Sequence, residues 1–367
     1  MPQSPALLRR MPLILIAAAG LAAFMVVGGA PHPANAAVLT ATCTGKSADA
    51  ATIQKAINAS ATGDEIVIDG PCLISKTIKL LGDRTYQGQN RTGTILQQAS
   101  GVNLPAILAS DSWVSNSPAT GDPFVIRDLT IDGNKANNPT AGDALVIRSW
   151  HTTIEDIDVI NSNGDGIKIT NKSKNGTALT NTQVNGTIRN VFVTGSGADG
   201  IRVEDTGNSV TDWNLLDSWI ASSGGSGISM DNAAGWVVER DHLYGDGAAG
   251  ISASRLFGSS ISDNYIEDFA TSGIIVTVQG DAASVINGNR IFQFSGTGTT
   301  FLNVSQVNYG TGDLAVTGNV IRGGGTGTGL SYQRGSNQLT ITSTGNLVTG
   351  VTTPRNIGAG VTLTAGL

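Results

Sequence analysis

The chain has little cysteine, little histidine and little charge. Its 2 cysteines and 3 histidines argue against a zinc site, which draws on several such ligands at once. Charged residues make up 14% of 367, and the net charge is −6. Nucleic-acid binding needs clustered Lys and Arg, so that class of partner is excluded. After residue 36 no run is apolar enough to span a bilayer. Helix-forming patterns are scarce too, which excludes a helical architecture.

The first 36 residues stand apart. Arg9 and Arg10 precede an apolar run from Leu13 to Val27, and Ala34-Asn35-Ala36 is an A-x-A cleavage signature. This reads as a signal peptide over residues 1–36, the alternative being a retained anchor. It leaves 37–367 as one secreted, extracellular domain with no membrane attachment. Losing two arginines moves the net charge from −6 to −8. Cys43 and Cys72 remain. In an oxidising compartment they would form a disulfide closing a loop of about 30 residues, worth about 3–4 kcal/mol. Two buried thiols are the alternative.

What is plentiful is Gly, at 48 residues, with Thr, Ser, Asn, Ile and Val, a composition of strands and turns. A small residue, an aliphatic residue and a short alternating strand recur: "DALVIR", "DGIKIT", "DGIRVE", "SGISMD", "AGISAS" and "SGIIVT". Their first aliphatics are Leu145, Ile167, Ile201, Ile228, Ile251 and Ile274, so the steps are 22, 34, 27, 23 and 23 residues. A second signature follows each copy, from "TIEDIDVI" to "LAVTGNVI", with Asn264, Asn289 and Asn319 at one turn position. Asn there tolerates the left-handed backbone region and can bond its own copy one coil away. The period is too short for TPR or WD40 repeats, and the leucine-rich frame is missing. Stacked coils of a parallel β-helix fit, an all-β solenoid. Residues 47–60 read as an amphipathic helix with Ile53, Ala56 and Ile57 on its apolar face, a cap for the N-terminal end.

With this repeat, the chain resembles the right-handed parallel β-helix proteins of the pectate-lyase-like superfamily. The run "DAATIQKAINASATGDEIVIDGPCLISKTIKL" is similar to the opening helix and first coils of that family. "LTIDGNKANN" and the following "GDGI" are similar to its early coils, and the resemblance covers residues 40 to about 345. It implies a single-stranded right-handed β-helix that is secreted and carbohydrate-active. The architecture hosts lyases, hydrolases, epimerases, fructan-cleaving transferases and tailspikes. "NSNGDGIKI" resembles the N-T-D-G-I-D motif of polygalacturonase-type hydrolases, which would make Asp165 catalytic and Asp199 its partner one coil later. Here Ala198 stands where that pattern has a second Asp, and Ser226 where it has a His. Pectate lyases of this fold imply another arrangement, with Ca²⁺ held at Asp165 and Asp199 and Lys168 or Arg202 as the base.

The same site can be read without the family. Asp143, Asp165 and Asp199 fall at one position on three consecutive coils, followed by Ser226, Ala249 and Ser272. Stacked carboxylates repel, so at least one pKa rises or a cation binds. Asp in a G-D-G turn also caps backbone N–H groups, a purely structural role. Strand alternation puts Lys168, Arg202 and Ser229 in one outward row and Arg148, Thr170, Glu204 and Asp231 in the next. Insertions at 171–186 and 205–213 follow the strands bearing Lys168 and Arg202, and such loops build clefts. Trp150 and Trp213 flank them and could stack on sugar rings. Trp219 and Trp236 suit packing, and His242 lies on another side of the coil.

Together these features predict an enzyme acting on a polysaccharide, a uronic-acid-containing one if Lys168 and Arg202 face its carboxylates. As a hydrolase it would use Asp165 and Asp199 as acid and base or nucleophile, tuned by Asp143. As a lyase it would use Ca²⁺. The other readings are a non-catalytic glycan-binding or surface protein, and a fructan-cleaving transferase or epimerase.

Overall fold

A computed structural model describes residues 36–280, 282–294 and 298–364. The signal peptide expected over 1–36 lies, but for its last residue, outside them. The described chain winds as a solenoid of three parallel sheets, of 13, 11 and 11 strands. One coil shows the plan: Thr153–Glu155 in the first sheet, Asp158–Ile160 in the third, and Ile167–Thr170 in the second. The second sheet carries the Asp column and is called the site sheet here.

Alternation drives the coil. Inward aliphatics such as Ile154, Val159, Ile167 and Ile169 are fully buried, and one continuous core runs the length of the solenoid. The recurring aliphatics pair as the repeat predicts: Leu145 with Ile167, Ile167 with Ile201, Ile201 with Ile228, Ile228 with Ile251, and Ile251 with Ile274. A one-residue slip would turn each inward row to solvent, so this pattern fixes the register.

The expected Asn ladder forms. Asn264 N–H donates to Asn289 Oδ1 at 3.1 Å, Asn289 N–H to Asn319 Oδ1 at 3.0 Å, and Asn319 N–H to Asn346 Oδ1 at 3.0 Å. The left-handed backbone falls one residue earlier than expected, at Asp263, Gly288 and Gly318, where the chain turns between sheets. Upstream the ladder continues through a carboxyl, since Asp241 accepts the Ser218 N–H and donates its own to Asn264 Oδ1.

The helix expected over 47–60 is α1 (Asp49–Ala59), with Ile53 and Ile57 buried. Asp49 accepts N–H bonds from Thr44, Lys46 and Leu73. Cys43 and Cys72 are joined by a disulfide at a sequence separation of 29. Among the described residues no helix is long and apolar enough to cross a membrane.

Candidate active site

Parallel register stacks Asp143, Asp165 and Asp199 directly. Asp165 N–H donates to Asp143 Oδ1 at 2.9 Å, Asp199 N–H to Asp165 Oδ1 at 3.0 Å, and Ser226 N–H to Asp199 Oδ1 at 2.7 Å. One oxygen of each carboxylate thus holds the turn of the next coil. The structural role and the column are both present, on different oxygens of one group.

The other oxygens face cations. Lys168 Nζ lies 3.5 Å from Asp143 Oδ2, 3.5 Å from Asp165 Oδ2 and 4.0 Å from Glu204 Oε2. Arg202 Nη1 lies 3.6 Å from Asp199 Oδ2, and its Nη2 donates to Asp231 Oδ1 at 2.6 Å. Arg202 also donates to Ser229 Oγ at 2.6 Å. Glu204 accepts from the Thr170 hydroxyl at 2.7 Å and meets Lys172 Nζ at 3.5 Å. Lys172, from the first insertion, escaped the sequence reading, because no repeat position assigns a loop residue to a row.

Burial, then the charge of Asp143, pushes the Asp165 carboxyl up to about 6. Burial also raises Asp143. Burial alone would lower Lys168, but Asp143, Asp165 and Glu204 together raise it, so it stays an ammonium. The ammonium form opposes a role for Lys168 as the proton-abstracting base of a lyase. Glu204 is lowered against its own burial by the Thr170 hydroxyl and by Lys168 and Lys172.

Calcium does not fit this donor set. It takes six to eight oxygens, yet Asp165 and Asp199 each give one oxygen to a backbone N–H and turn the other toward a cation. Among the described residues no group of three or more His, Cys, Asp or Glu is placed to hold a metal ion.

Two expected substrate contacts are corrected. Arg148 is 0% exposed. It does point out of the coil, but residues 111–123, with the short helix α2 (Asp111–Val114), fold over it. Its guanidinium donates to the carbonyls of Ser112, Ser117, Ala119 and Thr177, so it ties that segment to the 171–186 insertion. Trp113, Val146, Ala106 and Ala109 form a small apolar cluster beneath α2. Trp213 is likewise 0% exposed, stacked on Trp236 at 5.9 Å and donating Nε1–H to the Gln183 carbonyl. Neither residue can touch a polymer.

The remaining candidates keep some solvent. Trp150 is 38% exposed and lies against His151 at 4.5 Å. The two insertions pair with each other, Gln183–Val184 alongside Val210–Thr211. Val146 neighbours Lys168 in the ladder, followed by Arg202, Ser229 and Ser252. From that loop-covered wall the row runs through two cations into two hydroxyls. His242 sits on the third sheet, away from the column, in a ring stack between Trp219 and Tyr265 at 4.7 Å each. Trp236 is core, as expected, whereas Trp219 is 46% exposed at the outer end of that stack.

Comparison with known proteins agrees with this fold. Residues 199–366 match the right handed beta helix region family. No curated protein sequence matches the chain. Among solved structures, the A-module of the Azotobacter vinelandii mannuronan C-5 epimerase AlgE4 is similar at a TM-score of 0.62 and 16% identity, over 89% of this chain and 98% of that one. The catalytic unit of a GH87 α-1,3-glucanase from Streptomyces thermodiastaticus is similar at 0.53 and 14% identity, over 91% and 70%. The enzymatically active domain of tailspike protein 2 from bacteriophage CBA120 is similar at 0.51 and 12% identity, over 86% and 43%. At such identities the likeness is one of fold. With three parallel sheets in register, an unbroken core and a family match over its later coils, this chain is a right-handed parallel β-helix protein.

Proposed function

We propose that the protein is an exported enzyme that hydrolyses a polysaccharide laid across the site sheet. The observation that carries this reading is the position of Lys168 Nζ, 3.5 Å from Asp143 Oδ2 and 3.5 Å from Asp165 Oδ2. A half-buried cation between two stacked carboxylates on an outward strand row serves chemistry more readily than folding, because a serine or alanine completes the same turn on later coils. The activities named for the similar structures, an epimerase and a glucanase, support a glycan as substrate. The Cys43–Cys72 disulfide supports export to an oxidising compartment.

In this mechanism Asp165, half protonated near pH 6, donates its proton to the leaving glycosidic oxygen. Asp199, one rung away at about 4.8 Å, supplies the second carboxylate. That spacing approaches the ~5–5.5 Å of retaining glycosidases. Asp143 and Lys168 hold the charge balance around Asp165. The test is product release from a polysaccharide panel by the wild type and by Asp165→Asn and Asp199→Asn. Each substitution should lower turnover by at least about 100-fold. Absence of product from the wild type on every polymer refutes the enzyme.

One observation favours a second reading. Each Asp gives an oxygen to the next coil, as a turn residue would. In a non-catalytic glycan-binding protein the asparagine variants would retain binding, and the wild type would release nothing.

A further inference from the structure

The charges of the site sheet point to a particular kind of polymer, an inference that rests on the glycan reading above. Lys168 and Arg202 suggested a carboxylated substrate only so long as they were free. Both are engaged: Lys168 by Asp143, Asp165 and Glu204, and Arg202 by Asp199 and Asp231. Lys172, the third cation, meets Glu204. Five carboxylates therefore surround three cations on one face.

A uronate entering this face must displace an internal carboxylate from Lys168 or Arg202 while negative charge remains in excess there, by two with Asp165 ionised and by one with it protonated. Lys168 and Asp165 are both largely buried, so water screens that repulsion poorly. The whole chain, at −6, also repels a polyanion at long range. An uncharged sugar meets no such opposition. Its hydroxyls donate hydrogen bonds, and carboxylates accept them at several lone-pair sites each. Along the row, beyond Arg202, the side chains become the hydroxyls of Ser229 and Ser252. Hydroxyls suit a neutral chain and give a polyanion no counter-charge.

We propose that the site takes an uncharged polysaccharide, a polymer of neutral hexoses, and that Lys168 and Arg202 organise its carboxylates and do not neutralise a substrate. The cation–carboxylate pairs would hold Asp143, Asp165 and Asp199 in position while sugar hydroxyls bond to the free lone pairs.

Binding and turnover test this separately. The protein lacking residues 1–36 is titrated with soluble neutral glucans and with polyuronates at low and at physiological salt, and product is assayed in parallel. The expected result is binding to a neutral glucan at least about tenfold tighter than to any polyuronate, with little change on adding salt. The double variant Glu204→Gln with Asp231→Asn removes the two excess carboxylates, leaving Lys168 with Asp143 and Asp165 and Arg202 with Asp199, and should gain salt-sensitive polyuronate binding that the wild type lacks. Tighter, salt-sensitive binding of a polyuronate by the wild type overturns the proposal, even if product shows it to be an enzyme. Neutral-glucan binding without product sustains the proposal and overturns hydrolysis. Binding to neither polymer overturns both.

Discussion

Replacing Asp165 by asparagine should make the protein more stable, and by an amount that grows with pH in one defined window. Burial and the Asp143 charge raise the Asp165 carboxyl from 3.8 to about 6 in the folded state. Below pH ~4 it is protonated in both states and contributes nothing. Between pH ~4 and 6 the unfolded chain loses a proton that the folded chain keeps. Wild-type stability therefore falls there by about 1.36 kcal/mol per pH unit, about 3 kcal/mol in all. Above pH 6 both states are ionised and the loss is complete. Asparagine removes this slope. Its Oδ1 can still accept the Asp199 N–H, so the bond between coils survives. Its amide N–H₂ faces the Lys168 ammonium, a repulsion that does not change with pH in this range. Urea titrations of both proteins at half-unit steps from pH 4 to 7.5, with the disulfide intact, read the difference directly. The gap in favour of the variant should widen by about 3 kcal/mol and then level off. A gap that stays flat across the window, or narrows, refutes the electrostatic account of the column.

Other outcomes follow from the same physics. Asp241 is fully buried, and burial holds its carboxyl well above the usual carboxylate range. Asp241→Asn should complete the Asn ladder, with a stability gain at pH 7 over pH 5 of up to about 1.4 kcal/mol per unit, read by the same titrations. Reducing Cys43–Cys72 opens a loop of 29 residues and should cost about 3–4 kcal/mol, seen as a lower denaturation midpoint with thiol reductant present. Arg148→Met would strip four carbonyls of their donor in a buried place. It should cost about 2–4 kcal/mol and open residues 111–121 and 171–180 together to limited proteolysis. Cleavage confined to one of these segments would contradict the tie.

The coil was legible because its signal is periodic. An aliphatic residue at each of Leu145, Ile167, Ile201, Ile228, Ile251 and Ile274 determines which side chains face inward, and register then stacks Asp143, Asp165 and Asp199 without further information. The salt bridges were half legible. Asp165–Lys168 and Asp199–Arg202 share one offset of three residues, so a free cation was the less economical reading. The fates of Arg148 and Trp213 were not legible. Alternation says which way a side chain leaves the coil, but not whether another segment covers it. The covering segment, residues 111–123, precedes Leu145, the first of the periodic aliphatics, so its extra length does not disturb their spacing.

The tie made by Arg148 bears on how such a protein could be altered. Two loops that leave the solenoid on different coils share one guanidinium and behave as a single removable part. A graft that exchanges the 171–186 loop alone would leave Arg148 without its Thr177 acceptor and residues 111–121 without a partner. Recombination that moves residues 111 to 186 as one block keeps the cation with all four of its carbonyls. The unit of exchange at this wall is therefore a stretch of two coils and one insertion, with a buried charge at its centre.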